Sequence, residues 1–135
     1  MISMQPQLRA GVFTTVNLAL LVTLAACTTN ITGAALLEQL QADVPPLVVD
    51  VRSQGEFYRD HVPGAVHISF YAIGSGLDAI GYGKHDPVVL YCEHGPRASI
   101  AGISLYLSGY DKVYSLEGHM KSWRKNDFPI EVITP

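Results

Sequence analysis

Short apolar runs that alternate with stretches of helical periodicity predict an α/β domain. Its centre is a mainly parallel sheet of four to five strands, with helices on both faces. Two observations carry that prediction. The runs LVVDV (47–51), AVHI (65–68), PVVLYC (87–92) and KVYSL (112–116) are brief and rich in β-branched residues, as strands buried on both faces are. The stretches between them repeat apolar residues at helical spacing and carry cap and turn signals at their ends. Size agrees: 135 residues, 48% hydrophobic and 16% charged, suit one domain with a real core.

The elements follow in order. TNITGAALLEQLQAD (29–43) reads as a helix with Thr32 as N-cap and Leu36, Leu37 and Leu40 on one face, stopped by Pro45 and Pro46. Leu47–Val51 is the first strand. Ser53 and Glu56 stand three apart, the signature of a capping box that opens a short helix through about Arg59. Pro63-Gly64 makes a turn into a strand at Ala65–Ile68. The Gly-rich stretch from Phe70 to Asp86 holds one weak helix around Leu77. Pro87–Cys92 is the third strand. Arg97–Tyr110 is a helix with Ile100, Ile103, Leu105 and Leu107 turned inward and Gly109 as its stop. Lys112–Leu116 is the fourth strand, Gly118–Asp127 a last helix packed through Trp123, and Phe128–Ile133 an extended tail. No repeat or linker divides this domain, assigned to residues 31–133.

The N-terminal 27 residues differ in kind. They hold one charge, Arg9, and no acid. With nine Lys and Arg against twelve Asp and Glu in the whole chain (−3), the remainder carries eight against twelve, or −4. No basic stripe marks a nucleic-acid surface. A basic start, a modest apolar stretch interrupted by Asn17, and small residues at the end describe an export signal over 1–27. LAAC (24–27) resembles the lipobox of bacterial lipoproteins. That resemblance implies acylation of Cys27, attachment to a membrane through the lipid, and a periplasmic location; Thr28 in place of Asp points to the outer membrane. An ordinary cleaved signal or an uncleaved anchor helix would also fit the composition. The chain has two cysteines, so with Cys27 acylated or removed Cys92 has no internal partner. A lone thiol in an exported protein suggests a reactive site.

Cys92 falls where a strand ends and a helix begins, the place where ligands gather in open α/β sheets. The loop EHGPR follows it. A loop curled around the sulfur aims main-chain N–H groups at it, from Glu93, His94, Gly95, Arg97 and Ala98; Pro96 has none to give. Gly95 permits the φ that such a curl needs. Arg97 adds a cation, and the setting favours thiolate over thiol. The site is built for an anionic sulfur or an anionic substrate.

These residues carry a family resemblance. CEHGPRA resembles the Cys-x-x-Gly-x-Arg-Ser/Ala loop of rhodanese sulfurtransferases. VVDVRSQGEF resembles the family's Asp-x-Arg-x-x-x-Glu-Phe/Tyr segment through Asp50, Arg52, Glu56 and Phe57. DHVPGAVHI resembles its Gly-His-Ile-Pro-Gly-Ala-x-Asn-Ile turn, and VYSLEGHMKSW its Leu-x-Gly-Gly-x-x-x-Trp ending through Gly118 and Trp123. The four motifs run in order from about Ile31 to Val132 and imply a rhodanese-like fold. Three departures stand out: Asp60 where Gly is usual, His67 where Asn is usual, and His119 where the second Gly is usual. Ala98 stands in place of Ser.

The resemblance implies sulfur transfer. Cys92 attacks a small sulfur-donor anion such as thiosulfate, keeps the outer sulfur as a persulfide, and passes it to cyanide or a thiol acceptor, in a monomer without cofactor. Glu93, His94, Gly95, Pro96, Arg97 and Ala98 would form the substrate loop, with Arg97 steering the sulfonate. Asp50 and Arg52 are expected to be structural supports: the carboxylate ties down loop amides, and Arg52 pairs with Glu56 or another acid. Glu93 is expected to project outward. His61 is expected to bond a backbone or carboxylate group, and His94 either meets substrate or points to solvent. His67, His85 and His119 show no metal-ligand spacing, so no metal is expected. A phosphatase or arsenate reductase of the same fold is the alternative enzyme; those relatives place five residues between Cys and Arg, and here there are four, Glu93 to Pro96. A non-catalytic sulfur-binding or sensing module is the third reading, against which the intact Cys92 argues.

Overall fold

The structure is a computed structural model and describes residues 28–134. The export signal expected over 1–27, with Cys27, lies outside the described residues. Among the described residues no helix is long and apolar enough to cross a membrane.

The elements are β1 (Thr29–Ile31), α1 (Gly33–Gln39), β2 (Leu47–Asp50), α2 (Gln54–Arg59), β3 (Val66–His67), α3 (Ile73–Ala79), β4 (Val88–Tyr91), α4 (Pro96–Leu107), β5 (Val113–Leu116) and α5 (His119–Lys125), with a 3-10 turn at Phe70–Ala72 before α3. The five strands form one sheet in the order β1-β5-β4-β2-β3, and each neighbouring pair is parallel. β4 is central, and all four of its residues are buried, which is why the sequence there is a continuous apolar run.

Side chains alternate between the two faces of the sheet. Val49, Val51, Val88, Leu90 and Cys92 face one core with Ile73 and Leu77 of α3 and Ala98, Ala101 and Leu105 of α4. Val48, Val89 and Tyr91 face the other, with Leu36 of α1, Phe57 of α2, and Met120 and Trp123 of α5. Helices therefore cover both faces, as the sequence predicts. Trp123 is a core residue whose indole N–H donates to the Pro129 carbonyl at 2.7 Å.

Several local signals hold. The Thr32 hydroxyl caps α1 by accepting from the Ala35 N–H at 3.2 Å. Ser53 and Glu56 form the full capping box of α2. Gly109 takes the positive φ of 91° that ends α4. The tail pairs in antiparallel fashion with His61 through Glu131.

Three expectations need correction. Thr29–Ile31 is an edge strand on β5, and the helix begins only at Gly33. Helix α1 stops at Gln39, well before the prolines, because the chain turns at Leu40–Ala42 through short backbone bonds to Leu36, Glu38 and Gln39. Helix α4 is rolled from its expected orientation: Ala98, Ala101, Gly102 and Leu105 face the sheet, while Ile100, Ile103 and Leu107 are exposed. Small residues win the inner face because α4 lies close to its neighbours. A β-carbon on Gly102 would stand 2.7 Å from the Thr28 methyl, so Thr28 would have to move to admit one.

Candidate active site

The site lies at the carboxyl end of β4. Cys92 follows the last strand residue, its thiol is free, and it is 1% exposed. The chain curls from Cys92 to Gly95 and enters α4 at Pro96, which suits a first helical position. Gly95 makes the curl with φ 131°, a conformation left to glycine. Its N–H donates to Sγ of Cys92 at 3.0 Å. Among the described residues this is the one main-chain donor placed on the sulfur. Among the described residues the N–H groups of Glu93, His94, Arg97 and Ala98 bond no protein acceptor.

Arg97 is not the free cation the sequence suggests. It forms a fork on Glu56, with Nη1 to Oε2 at 2.7 Å and Nη2 to Oε1 at 2.9 Å. That pairing holds the Glu56 carboxyl well below the usual carboxylate range and raises the Arg97 guanidinium further. Glu56 also accepts from the Ser53 N–H at 2.9 Å. The capping acid of α2 therefore orients the arginine of the thiol loop.

Beneath the loop, Arg52 is fully buried with Asp50. Its Nε donates to both Asp50 oxygens at 3.0 Å and its Nη2 to Oδ2 at 2.7 Å. Asp50 Oδ1 also accepts the Arg52 N–H at 2.9 Å, the loop-amide role expected of it. The acids that pair with Arg52 are Asp50, Asp60 and Glu93 rather than Glu56, which offers only its carbonyl. Arg124 of α5 completes the cluster, with Nε to Asp60 at 2.7 Å and Nη2 to Glu93 at 2.9 Å. Burial pushes the Asp60 carboxyl up, but Arg124 and Arg52 together outweigh it; Arg124 first, and then Arg52, also hold Glu93 below its ordinary value. Glu93 thus turns inward, against the outward expectation, because two guanidiniums wait there. It ties the thiol loop to β2 and α5.

The histidines separate clearly. His61 bonds the Phe57 carbonyl through Nδ1 at 2.8 Å and faces Glu131 through Nε2 at 3.3 Å. His67 reaches the Arg52 carbonyl at 2.7 Å. His85 pairs with Asp111 on the surface, and His94 is exposed on the loop. Among the described residues no group of His, Cys, Asp and Glu could hold a metal. His119, which stands where the resemblance expects a second Gly, reaches the thiol loop: its Nδ1 accepts the Cys92 N–H at 3.3 Å. A shallow cleft of about 280 Å³ opens beside the loop, lined by Arg52, Ser53, Gln54, His67, Phe70 and Arg97. The signals that could have found the rest were partial. The capping box identified Glu56 but not its second partner, and nothing local marks Arg124.

A thiol seated in a glycine curl, with backbone donors around it and a fixed cation at its edge, can serve as a nucleophile toward an anionic donor. Comparison with known proteins bears on the family and the fold. The description "Rhodanese-like domain" matches residues 33–126. A thiosulfate sulfurtransferase GlpE of Glaesserella parasuis is 30% identical over 104 residues, covering 77% of this chain and 94% of that protein. A rhodanese-like domain protein from Staphylococcus aureus superposes with a TM-score of 0.68 at 26% identity, covering 79% of this chain and 100% of that one. The Alr3790 protein of Anabaena superposes with a TM-score of 0.72 at 21% identity, over 78% of this chain and 94% of that one.

Proposed function

The chain belongs to the rhodanese-like domain family, and from that premise we propose that it is a sulfurtransferase working through a persulfide on Cys92. The observation that supports this most is the Gly95 N–H on Sγ at 3.0 Å, in a loop that opens a helix. The Cys92 thiolate attacks the outer sulfur of thiosulfate. The S–S bond of the donor breaks and sulfite leaves with its electron pair. The enzyme keeps Cys92–S–S⁻. Cyanide or a cellular thiolate then attacks the terminal sulfur, forms thiocyanate or a persulfide product, and returns the Cys92 thiolate. The amide that holds Sγ, with the unpaired rim amides, stabilises anionic sulfur in each state as an oxyanion hole does for oxygen. Arg97 acts from its fork on Glu56, so its role is to fix a positive edge rather than to swing onto the donor.

Incubation with thiosulfate followed by intact-mass measurement is expected to show an adduct of one sulfur atom on the wild type and none on Cys92→Ser. Cyanide is expected to discharge it as thiocyanate. Absence of both rejects the reading, and Cys92-dependent hydrolysis of an aryl phosphate would replace it with the phosphatase alternative.

Acylation of Cys27, export to the periplasmic side of a membrane and action as a monomer belong to the same proposal. Acylation and export are supported by the LAAC sequence and the apolar, acid-free segment that precedes it. Fatty-acid labelling of the full chain in a bacterial host is expected to mark the wild type and to leave Cys27→Ala unlabelled. Equal labelling of both would remove the lipid anchor from the account.

A further inference from the structure

Three contacts run from the start of α5 to the thiol loop. The Cys92 N–H donates to His119 Nδ1 at 3.3 Å, the Met120 N–H donates to the Cys92 carbonyl at 3.0 Å, and the Lys121 N–H donates to the Glu93 carbonyl at 3.3 Å. His119 is the side chain in this seam, and its backbone is unusual. Its φ is 53°, directly after Gly118 at 69°. A histidine in the left-handed region carries strain that glycine would not, and such strain persists where the side chain has a task.

The contact with Cys92 fixes the chemistry of the ring. Nδ1 accepts a hydrogen bond from the Cys92 main-chain N–H, so in the neutral ring the imidazole proton sits on Nε2. Burial, and then the neighbouring His94, hold His119 below its ordinary pKa, which keeps the ring neutral. Nε2 lies against Gly95, 3.2 Å from where a β-carbon on that glycine would be. Among the described residues Nε2 has no hydrogen-bond partner, and the His119 side chain is half-buried rather than closed off from solvent. One ring thus holds the amide of the nucleophile with one nitrogen and presents an unused donor at the loop with the other.

We propose that His119 is a specificity-determining residue of the thiol loop: Nδ1 positions Cys92 through its N–H, and the free Nε2–H, beside Gly95, bonds an anionic oxygen of the sulfur donor. This rests on the sulfurtransferase reading. It makes the site prefer donors whose leaving group carries oxyanions, such as the sulfonate end of thiosulfate, over persulfides whose leaving group has none.

The variants His119→Asn and His119→Phe separate the two nitrogens. Asparagine can place its amide oxygen near the position of Nδ1 but has nothing at Nε2; phenylalanine has neither. For His119→Asn, KM for thiosulfate is expected to rise about tenfold with kcat little changed, as for loss of one charge-assisted hydrogen bond. With 2-hydroxyethyl persulfide as donor, KM is expected to stay at the wild-type value. For His119→Phe, kcat should fall with both donors. An unchanged thiosulfate KM in His119→Asn, or an equal rise for both donors, overturns the proposal and leaves sulfur transfer standing. Wild type that takes sulfur from neither donor overturns both. A measurement on the wild type needs no variant to fold: ring ¹⁵N shifts are expected to show the Nε2–H tautomer, with Nε2 moving on addition of sulfite. The Nδ1–H tautomer, or an Nε2 signal indifferent to sulfite, sinks it.

Discussion

Replacing Arg52 with methionine is expected to destabilise the fold by about 3–5 kcal/mol, the scale for removing one partner of a buried ion pair. The cost concentrates at one place. Asp60 and Glu93 keep Arg124 when Arg52 is gone. Asp50 does not: it is completely buried, it loses every guanidinium bond with Arg52, and it would keep only the Arg52 main-chain N–H and the neighbouring Tyr91 hydroxyl. An uncompensated carboxylate must then take up a proton or remain charged in the core. Adding Asp50→Asn to Arg52→Met should therefore recover part of the loss, a non-additive pair. Urea unfolding checks this through the midpoint at constant slope. The pH axis sharpens it. Glu56, Asp60 and Glu93 all have folded pKa values below their unfolded ones. Their stabilisation is present above the unfolded range near pH 4 and is lost as pH falls through the folded values, so wild-type stability should hold from neutral to about pH 5 and decline below. A single variant as stable as wild type would show that the Tyr91 hydroxyl and the main chain suffice to hold Asp50.

The same cluster marks the boundary of what the sequence could disclose. Strands β2 and β4 are legible because each is a mostly apolar run in the middle of a parallel sheet, and β5 and the edge strand β3 because their β-branched residues stand between turn signals. Thr29–Ile31 is not legible: two of its three residues are polar and exposed, and its strand character exists only through pairing with Tyr114–Leu116 at the edge. Helix α4 shows its length and its stop but not its rotation. Ile100 and Ile103 are the more hydrophobic choice for the inner face, yet close approach selects Ala98, Ala101 and Gly102. In the site, Cys92, Gly95 and the helix start are local in sequence and could be read. Glu93 could not, because its direction is decided by Arg124, thirty-one residues away, and by Arg52, forty-one residues away. Contacts of that separation leave no trace in periodicity or caps.

Gly95→Ala is expected to lower the rate of sulfur uptake from thiosulfate about a hundredfold or more, the range for losing one oxyanion-hole donor. Two constraints meet at this residue. Its φ of 131° is one that an L side chain rarely adopts, and the strain for a non-glycine residue is on the order of 1–3 kcal/mol. A β-carbon there would also stand 3.2 Å from Nε2 and 3.5 Å from Cδ2 of His119, tighter than ordinary contact at the nitrogen. Relaxing either constraint turns the peptide between His94 and Gly95, and that peptide carries the N–H on Sγ. The thiol would then lose its donor while Cys92 stays in place. Gly64→Ala separates strain from chemistry. Gly64 also has positive φ, 76°, but an added β-carbon there would meet nothing within 4 Å. It should cost similar stability and leave sulfur uptake intact. If Gly95→Ala takes up sulfur as fast as Gly64→Ala, the amide at Gly95 is not what makes anionic sulfur stable at Cys92, and the stabilisation would have to come from the fixed charge of Arg97 across the loop.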